Sequence, residues 1–181
     1  MGDWKIGESR TLLHTFIWDV IEIEKEMPNG KKGNFVSLKA PNWCSAVIRN
    51  TDTGKFVMVR EFRHGVNAWI YGFSCGTVEE GESPEDGVVR EVAEETGYRN
   101  PKIVRRLYTA NPNPAFMSNT TNCYYIEVSG EREAQSLDES EFVNVIEVDD
   151  PSAYLNESSS LTAQLAWERY CRLVASKETC G

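Results

Sequence analysis

Residues 76–98 constrain this chain more than any other stretch. They read Gly76-Thr77-Val78-Glu79-Glu80-Gly81-Glu82-Ser83-Pro84-Glu85-Asp86-Gly87-Val88-Val89-Arg90-Glu91-Val92-Ala93-Glu94-Glu95-Thr96-Gly97-Tyr98. The second half is bounded as a helix. Ser83 is a good N-cap, Pro84 suits the first helical position and Asp86 sits where a capping-box acid sits. Gly97 is a C-terminal stop. At helical spacing Val88, Val89, Val92, Ala93 and Thr96 share one face, while Arg90, Glu91, Glu94 and Glu95 fall on the other. Glu91 and Glu95 stand one turn apart, so their carboxylates are neighbours. Glu82, just before the helix, can point at the same place.

Carboxylates converging on one place repel one another, and each would have its pKa raised unless a cation is present. A hard divalent cation that prefers oxygen, Mg²⁺ or Mn²⁺, resolves the conflict. Arg90 precedes Glu94 by one helical turn, a spacing that assigns it to orienting a carboxylate rather than to touching a substrate. The bland reading of such a run is a solvated acidic face. Gly76 and Glu82, outside the helix yet in register with it, favour the functional one.

Composition fits an enzyme of one domain with a sizeable core and a small extra lobe: the chain has 181 residues and a net charge of −9. That charge argues against nucleic acid as a partner. An anionic small substrate would need metal and local arginines. No run approaches the length of a membrane span, and the start Met1-Gly2-Asp3-Trp4-Lys5 lacks an apolar signal core. The cysteines, Cys44, Cys75, Cys123, Cys171 and Cys180, are scattered without metal-ligand spacing. They read as thiols in a reducing cytoplasm.

Residues 11–26 are rich in β formers and read as one or two long strands. Pro28-Asn29-Gly30 marks a turn and 34–38 a short strand. Strands are expected over 43–49 and 55–62, and 68–75 leads into the acidic segment. After the helix, strands are expected near 102–109, 121–128 and 142–148. A closing helix at about 159–177 has Ala163, Ala166, Trp167, Tyr170, Leu173 and Val174 on one stripe, a core-packing pattern. This is an α/β chain: a mixed sheet sandwiched by helices, with an added N-terminal β segment.

With its spacing written out, residues 76–97 read G-x5-E-x7-R-E-U-x-E-E-x-G, where U is bulky and apolar. This resembles the Nudix box, the signature of the Nudix hydrolases. Tyr98 stands where an aliphatic residue is usual. The resemblance implies the Nudix α/β/α sandwich, with residues 1–40 as an N-terminal β lobe and 41–181 as the hydrolase domain. It also implies a metal site built from Glu82, Glu91, Glu94, Glu95 and the backbone carbonyl of Cys75.

Features outside the box resemble the ADP-ribose and nucleoside-diphosphate-sugar pyrophosphatases. They are the N-terminal β lobe, the basic-aromatic run Val59-Arg60-Glu61-Phe62-Arg63-His64-Gly65, and Trp69 before the box. Three departures stand out. That branch often enters the box through Glu-Leu-Pro-Ala-Gly, whereas this chain has Gly72-Phe73-Ser74-Cys75-Gly76. The loop after Tyr108 holds Asn111-Pro112 and Asn113-Pro114 in place of a Pro-Gly step. Gly87 lies on the carboxylate face, where glycine costs about 1 kcal/mol against alanine.

The reaction implied is attack of water on a phosphorus of a diphosphate X–P–P–Y. A nucleoside diphosphate sugar is the first substrate reading, and another nucleoside diphosphate-X the alternative. A catalytically inactive Nudix domain that senses a nucleotide is the reading from a different class. Arg63 is the candidate phosphate contact. Phe62, Trp69 and Phe116 are candidates for stacking on a base or sugar, against the commoner role of aromatics as core. By resemblance the general base is a glutamate on the loop before the last strand, Glu139 first and Glu141 second. The branch commonly dimerises through its N-terminal segment. A homodimer is therefore expected, with Trp4 or Trp18 able to stack on the base across the interface.

Overall fold

The computed structural model describes residues 2–178. Its first sheet contains β1 (Lys5–His14), β2 (Asp19–Glu26) and β3 (Lys32–Lys39), all antiparallel in that order. The expected β region over 11–26 divides at Thr15. There the Thr15 hydroxyl donates to the Trp18 carbonyl at 2.6 Å and accepts from the Trp18 N–H at 3.0 Å. Such a side-chain turn competes with the ladder and reverses the chain. The Pro28-Asn29-Gly30 turn forms as expected, with Gly30 at φ 80° and its N–H bonded to the Met27 carbonyl at 2.9 Å.

This sheet belongs to a compact unit that runs to Asn42 and also takes in Ala110–Thr120. The Asn-Pro loop is therefore part of the N-terminal unit. Leu38 N–H donates to the Phe116 carbonyl at 2.7 Å and Ser118 N–H to the Leu38 carbonyl at 3.3 Å. A parallel bridge joins Leu38 to Met117.

The second unit holds Trp43–Thr109 and the chain from Thr121 onward. Its sheet is built from β4 (Trp43–Asn50), β5 (Phe56–Arg63), β6 (Ala68–Gly72), β7 (Cys75–Thr77), β8 (Lys102–Ala110), β9 (Thr121–Val128) and β10 (Val143–Val148). The order is β10-β5-β4-β9-β8, with β6 added to β5 and β7 to β4. β4 and β9 are parallel while β4–β5, β4–β7, β5–β6 and β5–β10 are antiparallel, so the sheet is mixed. Helices α1 (Pro84–Thr96), α2 (Ser152–Asn156) and α3 (Leu161–Glu178) complete it. β7 and α2 are too short to carry a periodic signal in the sequence.

Strand alternation sends side chains to two cores. Cys44, Ala46 and Ile48 of β4 join Tyr124, Ile126 and Val128 of β9 against Val88 and Val92 of α1. Val47, Cys123 and Tyr125 face the other way, against Ala163, Ala166 and Tyr170 of α3. This is the expected α/β/α sandwich. The stripe on α3 packs as core through Tyr170, with Trp167 stacked on it at 5.3 Å, and runs out at the exposed Val174. Among the described residues, no helix is long and apolar enough to cross a membrane. Cys44, Cys75, Cys123 and Cys171 are free thiols, and Cys180 lies outside the described residues.

Tyr98, the departure at the end of the acidic segment, is buried at 2 % exposure. Its hydroxyl donates to Glu147 Oε1 at 2.5 Å and accepts from Asn50 Nδ2 at 2.9 Å. The network ties the end of α1 to β4 and β10. Removing the hydroxyl deletes two hydrogen bonds and leaves Asn50 and Glu147 only the 3.4 Å bond between them, a loss of about 1–3 kcal/mol. Tyr98→Phe is expected to lower the unfolding free energy by that amount, read as a lower urea midpoint with an unchanged m-value. An unchanged midpoint would show that the network contributes nothing.

Candidate active site

Helix α1 starts and stops as its sequence dictates. Ser83 Oγ accepts from Asp86 N–H at 3.1 Å, and Gly97 adopts φ 81° with its N–H on the Ala93 carbonyl. Arg90 is the hub of the acidic face. Its Nε and Nη2 grip Glu82 Oε1 and Oε2, each at 3.0 Å, as a two-pronged fork. Nη1 donates to Glu91 Oε1 and Glu94 Oε2, again at 3.0 Å, and Nη2 also reaches the Thr77 carbonyl at 2.9 Å. The hydrogen bonds from Arg90 hold the Glu82 carboxyl below its ordinary range. Burial raises Glu91, against the opposing pull of Arg90.

Two glycines make room for this packing. A Cβ on Gly76 would lie 2.0 Å from Glu91 Oε1, and one on Gly87 would lie 2.9 Å from Glu82 Oε2. The helix cost expected at Gly87 therefore accompanies a close carboxylate approach.

Glu95 departs from the expected pattern. It lies on the buried face, 4 % exposed, rather than on an open acidic one. Burial pushes its carboxyl up to about 8. The Ser74 hydroxyl lies beside it, yet neither that hydroxyl nor Glu95 Oε2 completes a hydrogen bond. A helical wheel divides a helix into faces but cannot tell how far the covering sheet extends over the acidic one.

Among the described residues, no three acidic, cysteine or histidine side chains form a ready-made metal cage, because Arg90 draws Glu82, Glu91 and Glu94 to itself. The donor set nevertheless fits a hard divalent cation. It supplies carboxylate oxygens at one place, one of them buried and without a partner, with excess negative charge.

Arg63 donates to Glu61 Oε1 at 2.7 Å and to the Cys75 thiol at 2.9 Å. Its charge reaches Glu95, so it stands near the acidic cluster. Phe62 is half-buried, edge-on to Trp69 at 5.8 Å, and Trp69 is 41 % exposed. Phe116 and Trp18 belong to the N-terminal unit and are both partly exposed. Trp4 packs edge-on against Phe35 at 5.4 Å. Glu139 and Glu141 are exposed on the loop before β10. Burial raises Glu61 and Glu91, and the Glu141 charge adds to both shifts, so Glu141 is within electrostatic reach of the site. Glu61 itself escaped the sequence reading. Its only signal was a carboxylate inside the β-forming run of 59–63.

The fold and this acidic helix agree with the comparisons to known proteins. The NUDIX domain family matches residues 38–165, and the chain belongs to the Nudix hydrolases. It is 37 % identical to the ADP-ribose pyrophosphatase of Bacillus subtilis (strain 168), over 72 % of this chain and 70 % of that protein. It is 33 % identical to the methanol dehydrogenase activator of Bacillus methanolicus, over 73 % of this chain and 72 % of that protein. The fold also matches a crystal structure of an ADP compounds hydrolase with TM-score 0.77 at 18 % identity, covering 98 % of this chain and 97 % of the other.

The raised pKa of Glu95 has a stability consequence. In the unfolded chain the carboxyl ionises near its ordinary 4.5, and in the folded chain near 8. Between these values the folded state binds more protons, so stability falls as pH rises through that window. Metal-free Glu95→Gln is therefore expected to be more stable than the parent above pH 8 and to lose the advantage towards pH 4.5, in thermal melts with EDTA. A variant that is less stable throughout would mean that Glu95 is satisfied in the fold.

Proposed function

We propose that this chain hydrolyses the diphosphate of a nucleoside diphosphate sugar, ADP-ribose or a close analogue, to a nucleoside monophosphate and a sugar phosphate. The observation that carries the reading is the Arg90-centred carboxylate cluster, beside an arginine able to hold phosphate. The relatedness to an ADP-ribose pyrophosphatase supports the substrate class.

Glu82, Glu91, Glu94, Glu95 and the Cys75 carbonyl are the groups that would hold a divalent cation, Mg²⁺ or Mn²⁺. Bound there, it would neutralise phosphate oxygens and acidify a water. The other roles fall to the protein. Arg90 positions three of the carboxylates. Arg63 keeps donors free for a phosphate, since two bonds leave a guanidinium fork unfilled. Phe62 and Trp69 offer ring faces to the nucleotide or sugar. Glu141 takes the proton from the attacking water, ahead of Glu139, because its charge reaches Glu61 and Glu91. Free thiols and the absence of a membrane-crossing helix among the described residues agree with a cytoplasmic place.

Purified protein with Mg²⁺ is expected to convert ADP-ribose to AMP and ribose 5-phosphate, faster at alkaline pH, and to stop in excess EDTA. Glu141→Gln should lower kcat by about 10²–10⁴-fold, the usual contribution of a general base, and Glu139→Gln by far less. Full turnover in EDTA would remove the metal from the mechanism. A large loss in Glu139→Gln alone would reverse the two loop residues.

The N-terminal sheet supports a homodimer. All of β1 is exposed, and Leu13 is 56 %, Phe16 97 % and Trp18 37 % exposed in the single chain. Apolar residues gathered on an uncovered strand and the turn that follows it mark an interaction surface. In the dimer Trp18 or Trp4 would be placed to stack on the base, with Phe116 from the same unit. Light scattering is expected to give twice the mass of 20.5 kDa, and a monomer at micromolar concentration would overturn the assembly.

A further inference from the structure

A helix leaves its last carbonyls without partners of its own. At the end of α1 those partners come from one segment, residues 132–136. Ser136 N–H donates to the Glu94 carbonyl at 3.0 Å and Glu133 N–H to the Gly97 carbonyl at 2.9 Å. Arg132 Nε donates to the Thr96 carbonyl at 2.7 Å, and Gln135 Nε2 donates to the Glu95 carbonyl. The approach is close: a Cβ on Gly97 would lie 2.2 Å from the Glu133 carbonyl oxygen.

This segment opens the loop that carries Glu139 and Glu141 towards β10. Residues 131–142 form no helix or strand, and among them only Gln135 and Leu137 are even half-buried. Apolar packing therefore does little to hold the loop, and hydrogen bonds set its course. Gln135 makes the bond that spans it. Its Nε2 also donates to the Val143 carbonyl at 3.1 Å, where β10 begins. Both partners are carbonyl oxygens, so the amide has to present its nitrogen to them. One side chain thus joins the two ends of the loop to each other and to α1. Inside the loop, Glu141 N–H donates to the Asp138 carbonyl at 2.9 Å, and Glu141 Oε2 accepts from Asp138 N–H at 3.3 Å. Glu141 stands two residues before the clamped Val143, and its charge reaches Glu61 and Glu91.

We propose that Gln135 is a positioning residue for the hydrolysis: it closes the loop 136–142 against the C-terminal end of α1 and so fixes Glu141 relative to the carboxylates of that helix. This deepens the function proposed above and rests on it. Gln135 acts through Glu141 and touches no substrate. Without its amide the loop stays docked on α1 through Arg132 and the backbone bonds of Glu133 and Ser136. The Val143 end is released, and with it the Glu141 carboxylate.

The test is a double-mutant cycle with Mg²⁺ and ADP-ribose. Gln135→Met keeps the length of the side chain and removes both donors. It is expected to lower kcat about tenfold, the worth of one to two hydrogen bonds, with KM within about twofold. In the Glu141→Gln background, where the base is already gone, Gln135→Met should change kcat by less than about twofold. Amide hydrogen exchange gives a second readout: Glu141 N–H should lose protection in Gln135→Met while the amides of α1 keep theirs. An unchanged kcat in Gln135→Met, the same fold-loss in both backgrounds, or unchanged exchange at Glu141 would overturn the proposal. Absence of ADP-ribose turnover in the parent would overturn the substrate reading instead, and the exchange measurement would then decide the clamp by itself.

Discussion

The guanidinium of Arg90 is the interaction on which the acidic site depends. Glu82, Glu91 and Glu94 would repel one another across a few ångströms, and two of them share a helix face with no basic residue in its last turn. Arg90 replaces that repulsion with charge-assisted bonds to all three, plus one to the Thr77 carbonyl. Lysine could supply the charge but not the planar fork that holds Glu82 through both oxygens. The Arg90 side chain is only 26 % exposed, so these pairs are less screened than surface ones. Losing the arginine would leave several half-buried carboxylates uncompensated, which costs far more than a surface salt bridge returns. The bond to Glu82 also fastens the loop before α1 to the helix itself, so the loop and helix carboxylates keep one geometry.

Polar groups are satisfied unevenly across the second unit, and the unevenness has a place. At the Tyr98 end of α1, the buried hydroxyl, amide and carboxylate complete one another. At the other side, Glu95 Oε2, Ser74 Oγ, Glu61 Oε2 and Ser45 Oγ are buried without partners. Native folds rarely tolerate such groups unless a ligand, ion or water completes them. The sheet is therefore least satisfied around the segment from Gly72 to Gly76. Stability is given up beside the acidic helix, where charged and hydrogen-bonding groups gather.

Much of this was legible because it is local. The caps of α1, the turn at Gly30 and the neighbouring carboxylates follow from residues within a few positions of one another. The burial of Glu95 did not, because it depends on strands brought over the helix from elsewhere in the chain. Glu61 was hidden for the same reason: in sequence it is one charged residue in a strand, and its nearness to Glu95 and Glu141 comes from the fold. Residues 137–142 carry no such local signal, since an exposed loop has no periodicity to aim the side chains of Glu139 and Glu141. The Asn-Pro loop, set apart in sequence by its prolines, is tied by backbone bonds to Leu38 rather than to the strands that flank it.

The segment entering the box shows how such differences combine. Relative to the Glu-Leu-Pro-Ala-Gly pattern of the resembling branch, this chain changes four positions, and three of the changes bear on the groups around Arg63 and Glu95. Glycine at 72 leaves the strand without a side chain where a Cβ would meet Ala163 at 3.6 Å. Serine at 74 sets a hydroxyl beside the Glu95 carboxyl. Cysteine at 75 gives Arg63 a sulfur acceptor in addition to Glu61. The three converge on one arginine and two buried carboxylates, and all leave the Arg90 cluster untouched. A change confined to that segment alters the surroundings of Arg63 and Glu95 while the carboxylate helix keeps its geometry. The entry segment and the Arg90 cluster are thus adjoining but separable parts of the same unit.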